Sequence, residues 1–468
     1  LSPCIRYVCA ILQTYGEEDV VPWLGKMALL ALTFSLVGTP TVRAANDLDK
    51  IKHIIVIYLE NRSFDNLYGA FPGASGLADA GAAATQVDKT GKVYAMLPRP
   101  LDTSAKPPFV DPRFPADLPN KPFAIDPFIP IGEPTGDLVH RYYQEQEQID
   151  GGKMDKFAAF SDAAGLTMGY YDEGRNTRLW QWAKRYVLAD NFFHAAFGGS
   201  FLNHTWFICA CTPRFEHAPP DMTAVLDSAG HMLKDGAVTP DGYAVNTVYT
   251  ASAPHPKGVP ADHLLPLQDL PTIGDRLSEK GVSWAWYAGG WDNALAGKPD
   301  KDFQFHHQPF AYFKNYAAGT PGRGHLKDAK EFFAGIKRGQ LPAVSFYKPI
   351  GELNQHPGYA EVVAGDRHVD DLLAKISKSP LWRNVAVIVT PDENGGFWDH
   401  VAPPKKDKWG PGTRVPTVIV SPFARRGYVD HTEYDTTSIL RFIEARYGLA
   451  PLGERDAHAN DMTKAFKF

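Results

Sequence analysis

The sequence predicts an α/β protein: a three-layer α/β/α sandwich around a mostly parallel central sheet. Three observations predict it. Two continuous apolar runs, His53-Ile-Ile-Val-Ile-Tyr-Leu59 and Asn384-Val-Ala-Val-Ile-Val-Thr390, have the length and composition of strands buried on both faces. Further strand-like runs alternate with helical segments, the pattern of parallel strands joined by helical crossovers. The 468-residue chain, with 44% hydrophobic and 22% charged residues, is long enough for one large domain of that kind with insertions.

Residues 1–45 stand apart from the fold. Lys26 precedes a short apolar run over 27–37, and Ala44-Ala45 offers the small residues that a signal peptidase cuts. A cleaved leader, and a periplasmic or secreted protein, are expected. Residues 46–468 form one expected domain. Its first strand is 53–59. Residues 70–136, rich in Gly, Ala, Pro and Asp, read as a long surface excursion. Residues 136–149 have a helical pattern with Asp137 as a cap, and 175–186 form a second helix. A strand over 187–193 leads to Gly198-Gly199-Ser200 and an apolar helix from Asn203 to Ala210. A second loop-rich insertion, 211–268, is expected to join the first as a cap over the strand ends. Then come a helix (270–280), strands at 282–287 and 343–347, a helix (366–377), the 384–390 strand, a late strand (415–420) and a closing helix (436–447). Cys209 and Cys211 have a single residue between them, a spacing that strains a disulfide, so two buried free thiols are expected. A formal net charge of −5 gives no basic field for nucleic acid.

Both long strands run into acidic residues. The first ends in Glu60-Asn61-Arg62-Ser63-Phe64-Asp65, the second in Pro391-Asp392-Glu393-Asn394-Gly395-Gly396-Phe397-Trp398-Asp399-His400. Ligands of open α/β sheets bind beyond the carboxyl ends of the strands. If the two strands are neighbours, three carboxylates and an amide share one crevice. Such hard oxygen ligands suit a divalent cation, and the cation suits phosphate. The residues therefore read as a metal-assisted phosphoester hydrolase, although either tip alone reads as a helix cap or a turn. Ser200 has two readings. Glycines before a helix let a backbone approach an anion, which would make Ser200 a nucleophile; local sequence by itself favours a capping serine. Histidines beside turns (His140, His306, His307, His356 and His400) can donate to phosphate oxygens, and each alone reads as structural. No His-x-His or His-Glu-x-x-His spacing supports a zinc site of the usual kind. Asn61-Arg62-Ser63 and Asn203-His204-Thr205 match the glycosylation pattern but read as site residues.

Glu60 to Asp65, and Asp392 through Pro404, resemble the two signature segments of the bacterial acid phosphatase/phospholipase C family, within the alkaline-phosphatase-like superfamily. Gly152-Lys153-Met154-Asp155 and His356-Pro357-Gly358 resemble further family segments in the same order. The resemblance implies one divalent metal ion, of unidentified kind, held by Glu60, Asn61, Asp392 and Glu393 with Ser200. It implies Ser200 as nucleophile, with His140, His307 and His356 lining the phosphate pocket. His306 is the alternative to His307, and Asn203 and His204 complete the substrate side. Phospholipases C of the family tend to have Thr followed by Pro-Asn-Arg. This chain has Ser200-Phe201-Leu202-Asn203-His204, which resembles the acid phosphatase branch. The expected substrates are small phosphomonoesters, cleaved through a phosphoserine. One alternative is a phospholipase C, whose apolar pocket mouth would make transient contact with membrane lipid. The other is a secreted binding protein without activity. The sequence does not reveal an oligomeric state.

Overall fold

Aliphatic and β-branched runs form the strands of one eight-stranded sheet in the computed structural model, which describes residues 47–468. The strands are β1 (His53–Leu59), β2 (Val187–Ala189), β3 (Trp284–Ala288), β4 (Leu326–Asp328), β5 (Val344–Lys348), β6 (Val385–Pro391), β7 (Thr417–Val420) and β8 (Tyr428–Asp430). Their order across the sheet is β4-β3-β5-β1-β6-β7-β2-β8. Every pairing is parallel except those of β7, which runs antiparallel to both neighbours. Along β1 and β6, His53 lies opposite Val385 and Leu59 opposite Pro391. The two acidic tips therefore leave the sheet side by side.

Residues of β5 and β6 are buried throughout, and only His53 of β1 is not. Full burial of Ile54, Ile55, Val56 and Ile57 contributes about 1.5–3 kcal/mol each. Two groups of helices cover the sheet. The helices are α1 (Tyr142–Ile149), α2 (Arg178–Arg185), α3 (Ser200–Cys209), α4 (Ile273–Glu279), α5 (Ala329–Arg338), α6 (Val362–Lys378) and α7 (Thr436–Tyr447). Helices α2 and α5 pack on α6, while α4 and α7 pack on α3. This is the expected sandwich. Both insertions reach the strand ends: Lys106 comes from the first, Asn246 and Thr247 from the second, and all three line the cavity there.

Several local expectations are corrected. The helix expected from Gly136 starts only at Tyr142, and Arg141, not Asp137, stands at its N-cap. Residues 136–141 remain irregular because they form a wall of the cavity. The 187–193 strand breaks after Ala189, since Phe192 and Phe193 pair instead with Tyr434 and Asp435. Strand β4, helix α5 and strand β8 were not anticipated. Cys209 and Cys211 are not free thiols but a disulfide. Ala210 between them adopts left-handed backbone (φ 47°) and brings their Cα atoms to 5.1 Å, within disulfide range. The expected leader lies outside the described residues. Among the described residues no helix is long and apolar enough to cross a membrane.

Candidate active site

Beyond the sheet, β1 delivers Glu60 and Asn61, and β6 delivers Asp392 and Glu393, all completely buried. Asn61 takes φ 54°, a conformation that asparagine tolerates better than most side chains. Its N–H donates to Asp392 Oδ1 at 3.1 Å, and the next N–H, of Arg62, donates to the Glu393 carbonyl at 2.9 Å. Gly395 (φ 63°) lets the tips seat together; a Cβ there would stand 2.4 Å from the Asn61 carbonyl oxygen. Farther out, buried Arg414 donates to Asp399 (2.8 Å) and Asp65 (3.4 Å), and His400 Nδ1 lies 2.6 Å from Asp65. This ionic network ties the two segments to each other.

Ser200 is the first residue of α3, and Gly199 occupies the N-cap position without any side-chain bond. The capping role that local sequence favoured is therefore not the one Ser200 plays. Its Oγ donates toward Asn61 Oδ1 at 3.2 Å and Glu393 Oε1 at 3.3 Å. The turn before it is closely held. Gly198 has φ 84°, and a Cβ on it would meet the Tyr142 nitrogen at 2.4 Å. Glu145 of α1, buried, accepts from the N–H groups of Gly198 and Thr413 and sits 2.9 Å from His194 Nε2. Asn203, expected on the substrate side, braces this turn. Its Oδ1 accepts from Ala196 N–H, and its Nδ2 donates to the carbonyls of Ala196, Gly198 and Gly199. Asn61 and Asn203 are both fully buried, which excludes glycosylation at either in the folded protein.

Glu60 is flanked by His307 and by Lys348 Nζ, the latter 2.7 Å from its Oε1. Burial pushes its carboxyl up, but His307 and then Lys348 hold it well below the usual carboxylate range. Glu60 is thus the ionised partner of Lys348. Burial in turn pushes His307 down to about 4, against the pull of Glu60. Tyr359 stacks on His356 and turns its hydroxyl toward Glu60 Oε2, 3.4 Å away. His204, buried between the two tips, has Nδ1 2.8 Å from the Ser200 carbonyl and 3.4 Å from Asp392 Oδ2.

A cavity of about 520 Å³ opens over these groups, with Ser200, Glu60, His140, His306, His356 and Tyr359 in its wall. His306, rather than His307, faces it; His307 turns inward to Glu60. His140 Nε2 and His356 Nε2 lie 3.2 and 3.0 Å from Asn61 Nδ2. Burial opposes a charge on His140, but Glu393 and Asp137 raise it to about 9. Burial lowers His306 and His356.

The donor set fits a divalent cation. Glu60, His204 and Asp392 bring ligand atoms within 4.8 Å of one another. His204 Nε2 and Asp392 Oδ2 are buried without hydrogen-bond partners, an arrangement that costs free energy unless something else fills it. Burial pushes Asp392 up to about 6, against Lys348, and Glu393 up to about 8, against His140. The positive charge beside each carboxylate does not offset its burial, and a cation would.

Of the residues singled out from sequence, Glu60, Asn61, Ser200, His204, Asp392 and Glu393 converge on one point, with His140, His306 and His356 around it. Lys348, Tyr359 and Glu145 were missed. Lys348 did leave a signal, as a charge closing an otherwise apolar strand. Glu145 left none within Tyr142-Tyr-Gln-Glu-Gln-Glu-Gln148.

Fold and site together define an α/β protein with a buried carboxylate cluster and a turn-borne serine beyond the ends of parallel strands. The chain belongs to the Phosphoesterase family, whose model matches residues 51–450. It is 24% identical to a non-hemolytic phospholipase C of Pseudomonas aeruginosa over 92% of this chain and 59% of that protein. It is 26% identical to phospholipase C B of Mycobacterium tuberculosis over 90% of this chain and 78% of that protein. The chain therefore spans little more than half the length of the Pseudomonas relative. Among solved structures, a protein in the alkaline phosphatase superfamily from Vibrio parahaemolyticus is similar at 12% identity, with 63% of this chain and 65% of that chain covered and a TM-score of 0.33.

Proposed function

We propose that this protein is a metal-dependent phosphoric ester hydrolase acting through a phosphoserine at Ser200. The observation that carries the reading is the placement of Ser200 Oγ, 3.2 Å from Asn61 Oδ1 and 3.3 Å from Glu393 Oε1, on the floor of a polar cavity. Glu60, Asn61, Ser200, Asp392 and Glu393 would hold one divalent cation, with His204 beside them. Such an ion supplies charge that neutralises the non-bridging phosphate oxygens and makes a neighbouring hydroxyl more acidic. The chain's own residues do the rest. Ser200 Oγ forms a bond to phosphorus as the bond to the leaving oxygen breaks, and the serine proton passes to Glu393 Oε1. A histidine of the cavity wall gives a proton to the departing alcohol. Water then cleaves the phosphoserine.

For substrate, the reading is a phosphomonoester, as in an acid phosphatase. Ser200 with His204, and a cavity walled by histidines, Lys106 and Arg141, support it. A phospholipase C is the second reading, favoured by the names of the relatives. Export to the periplasm or beyond is part of the proposal and rests on the pattern over 26–45; N-terminal sequencing of the protein recovered from a cell would test it. The deciding assay compares p-nitrophenyl phosphate with p-nitrophenyl phosphorylcholine, each with and without a chelator. Metal-dependent turnover of the first alone supports the phosphatase, and of the second alone the lipase. No turnover of either, with any divalent metal, would reject both.

A further inference from the structure

A second cavity lies away from the strand-end site, between α5 and α6. Its volume, about 950 Å³, exceeds the roughly 520 Å³ of the candidate active site. Tyr347 of β5, Phe333 and Ile336 of α5, Leu372 of α6, and Ile350 and Leu353 line it. Phe333 leaves 39% of its surface exposed here. A groove of this size, mostly apolar with a few polar groups at its edge, is the usual form of a small-molecule site.

The edge is basic. Lys330, Lys337, Lys375 and Lys378 stand on it against Asp328 and Asp371. Lys330 is paired with Asp292, and Lys375 lies 3.9 Å from Asp371. Lys337 and Lys378 make no ion pair among the described residues. These two mark the same end of the groove. Gly339, two residues beyond Lys337, packs on Pro380, two residues beyond Lys378; a Cβ on the glycine would stand 3.0 Å from the proline ring.

We propose that this groove binds a long-chain anionic amphiphile of the fatty-acid class. Its carboxylate lies between Lys337 and Lys378, and its chain follows Phe333, Ile336 and Leu372. The two ammonium groups offer an anionic head a charge match at that end, and a small anion leaves the apolar wall in water. A molecule apolar along its length and anionic at one end satisfies both. The groove shares no residue with the cavity at the strand ends, so the inference does not depend on the proposed reaction.

The test is a fluorescence titration of the full chain with cis-parinaric acid, kept below its aggregation threshold, with methyl parinarate as the uncharged control. The expected result is saturable binding of one acid per chain. Replacing Lys337→Glu with Lys378→Glu should weaken it at least about tenfold, as should the methyl ester, since each removes the charge match. Both lysines are exposed, so the double variant should keep its melting temperature and its hydrolytic rate. Phe333→Asp, also at the surface, tests the apolar wall independently and should weaken binding too. Absence of saturable binding, equal affinity for acid and ester, or unchanged affinity in a folded double variant would each overturn the proposal.

Discussion

Ser200 Oγ donates to Asn61 Oδ1 at 3.2 Å across 139 residues of sequence, and it does so from inside the first turn of α3 rather than from the cap position. The serine is therefore free of local structural duty. Ser200→Ala should abolish nearly all phosphoester turnover while costing less than the roughly 1 kcal/mol of a lost helix cap. Paired turnover and thermal-melt measurements check this, together with mass-spectrometric mapping of any trapped phosphoryl group. A variant that keeps most of its turnover would remove Ser200 from the mechanism.

Lys348 should matter for stability as well as for the site. Its ammonium meets Glu60 Oε1 at 2.7 Å and the Leu59 carbonyl at 3.0 Å, with both charged side chains buried. Removing one member of a buried pair strands the other. Lys348→Met should lower unfolding free energy by about 3–5 kcal/mol. Urea unfolding read by circular dichroism gives the number, and a midpoint equal to that of the parent would show that the pair is not structural.

Glu145 supports the nucleophile turn from a different helix. Truncating it leaves the Gly198 and Thr413 N–H groups and His194 without their buried acceptor. Glu145→Ala should lower kcat more than it raises KM, because the defect falls on the placement of Ser200 rather than on the cavity walls. Steady-state kinetics of the variant, once shown to be folded, separate the two; a pure KM effect would contradict the assignment.

A pH effect arises on α7. Glu444 is buried, and neither carboxylate oxygen has a hydrogen-bond partner. Burial, then neighbouring Asp456, pushes its carboxyl up to about 9. The folded state therefore holds this proton more tightly than the unfolded chain does. The stabilisation is complete below the ordinary glutamate range and is lost as pH climbs from about 4.5 toward 9. Glu444→Gln, which mimics the neutral acid, should melt close to the parent at pH 4.5 and clearly above it at pH 8.5. Equal melting temperatures at both values would mean that the carboxyl is ionised in the native protein.

The strand tips were legible because two physical signals coincide in them: an apolar run that only a two-sided core accommodates, and carboxylates where that core ends. Helices with capping signals and regular spacing, such as α7, were legible for similar reasons. What stayed hidden was set by partners distant in sequence. Nothing in Gly136-Asp-Leu-Val-His-Arg141 says that it lines a cavity instead of extending α1. The choice between His306 and His307 depends on Lys348 and Glu60, not on their own neighbours. Asn203 looked like a ligand-facing residue because a buried amide that braces a turn and one that meets a substrate have the same local sequence. The disulfide was missed because the left-handed turn at Ala210 is settled by where α3 ends.

The register that sets Leu59 against Pro391 makes the carboxylate cluster an all-or-none property of the fold. Asn61 and Asp392 are 331 residues apart, so no autonomous fragment contains both halves of the cluster. Contacts of such sequence separation form only after a large loss of chain entropy. A growing chain therefore cannot assemble the cluster until synthesis has passed Glu393. The buried carboxylates become neighbours only once β1 and β6 have paired.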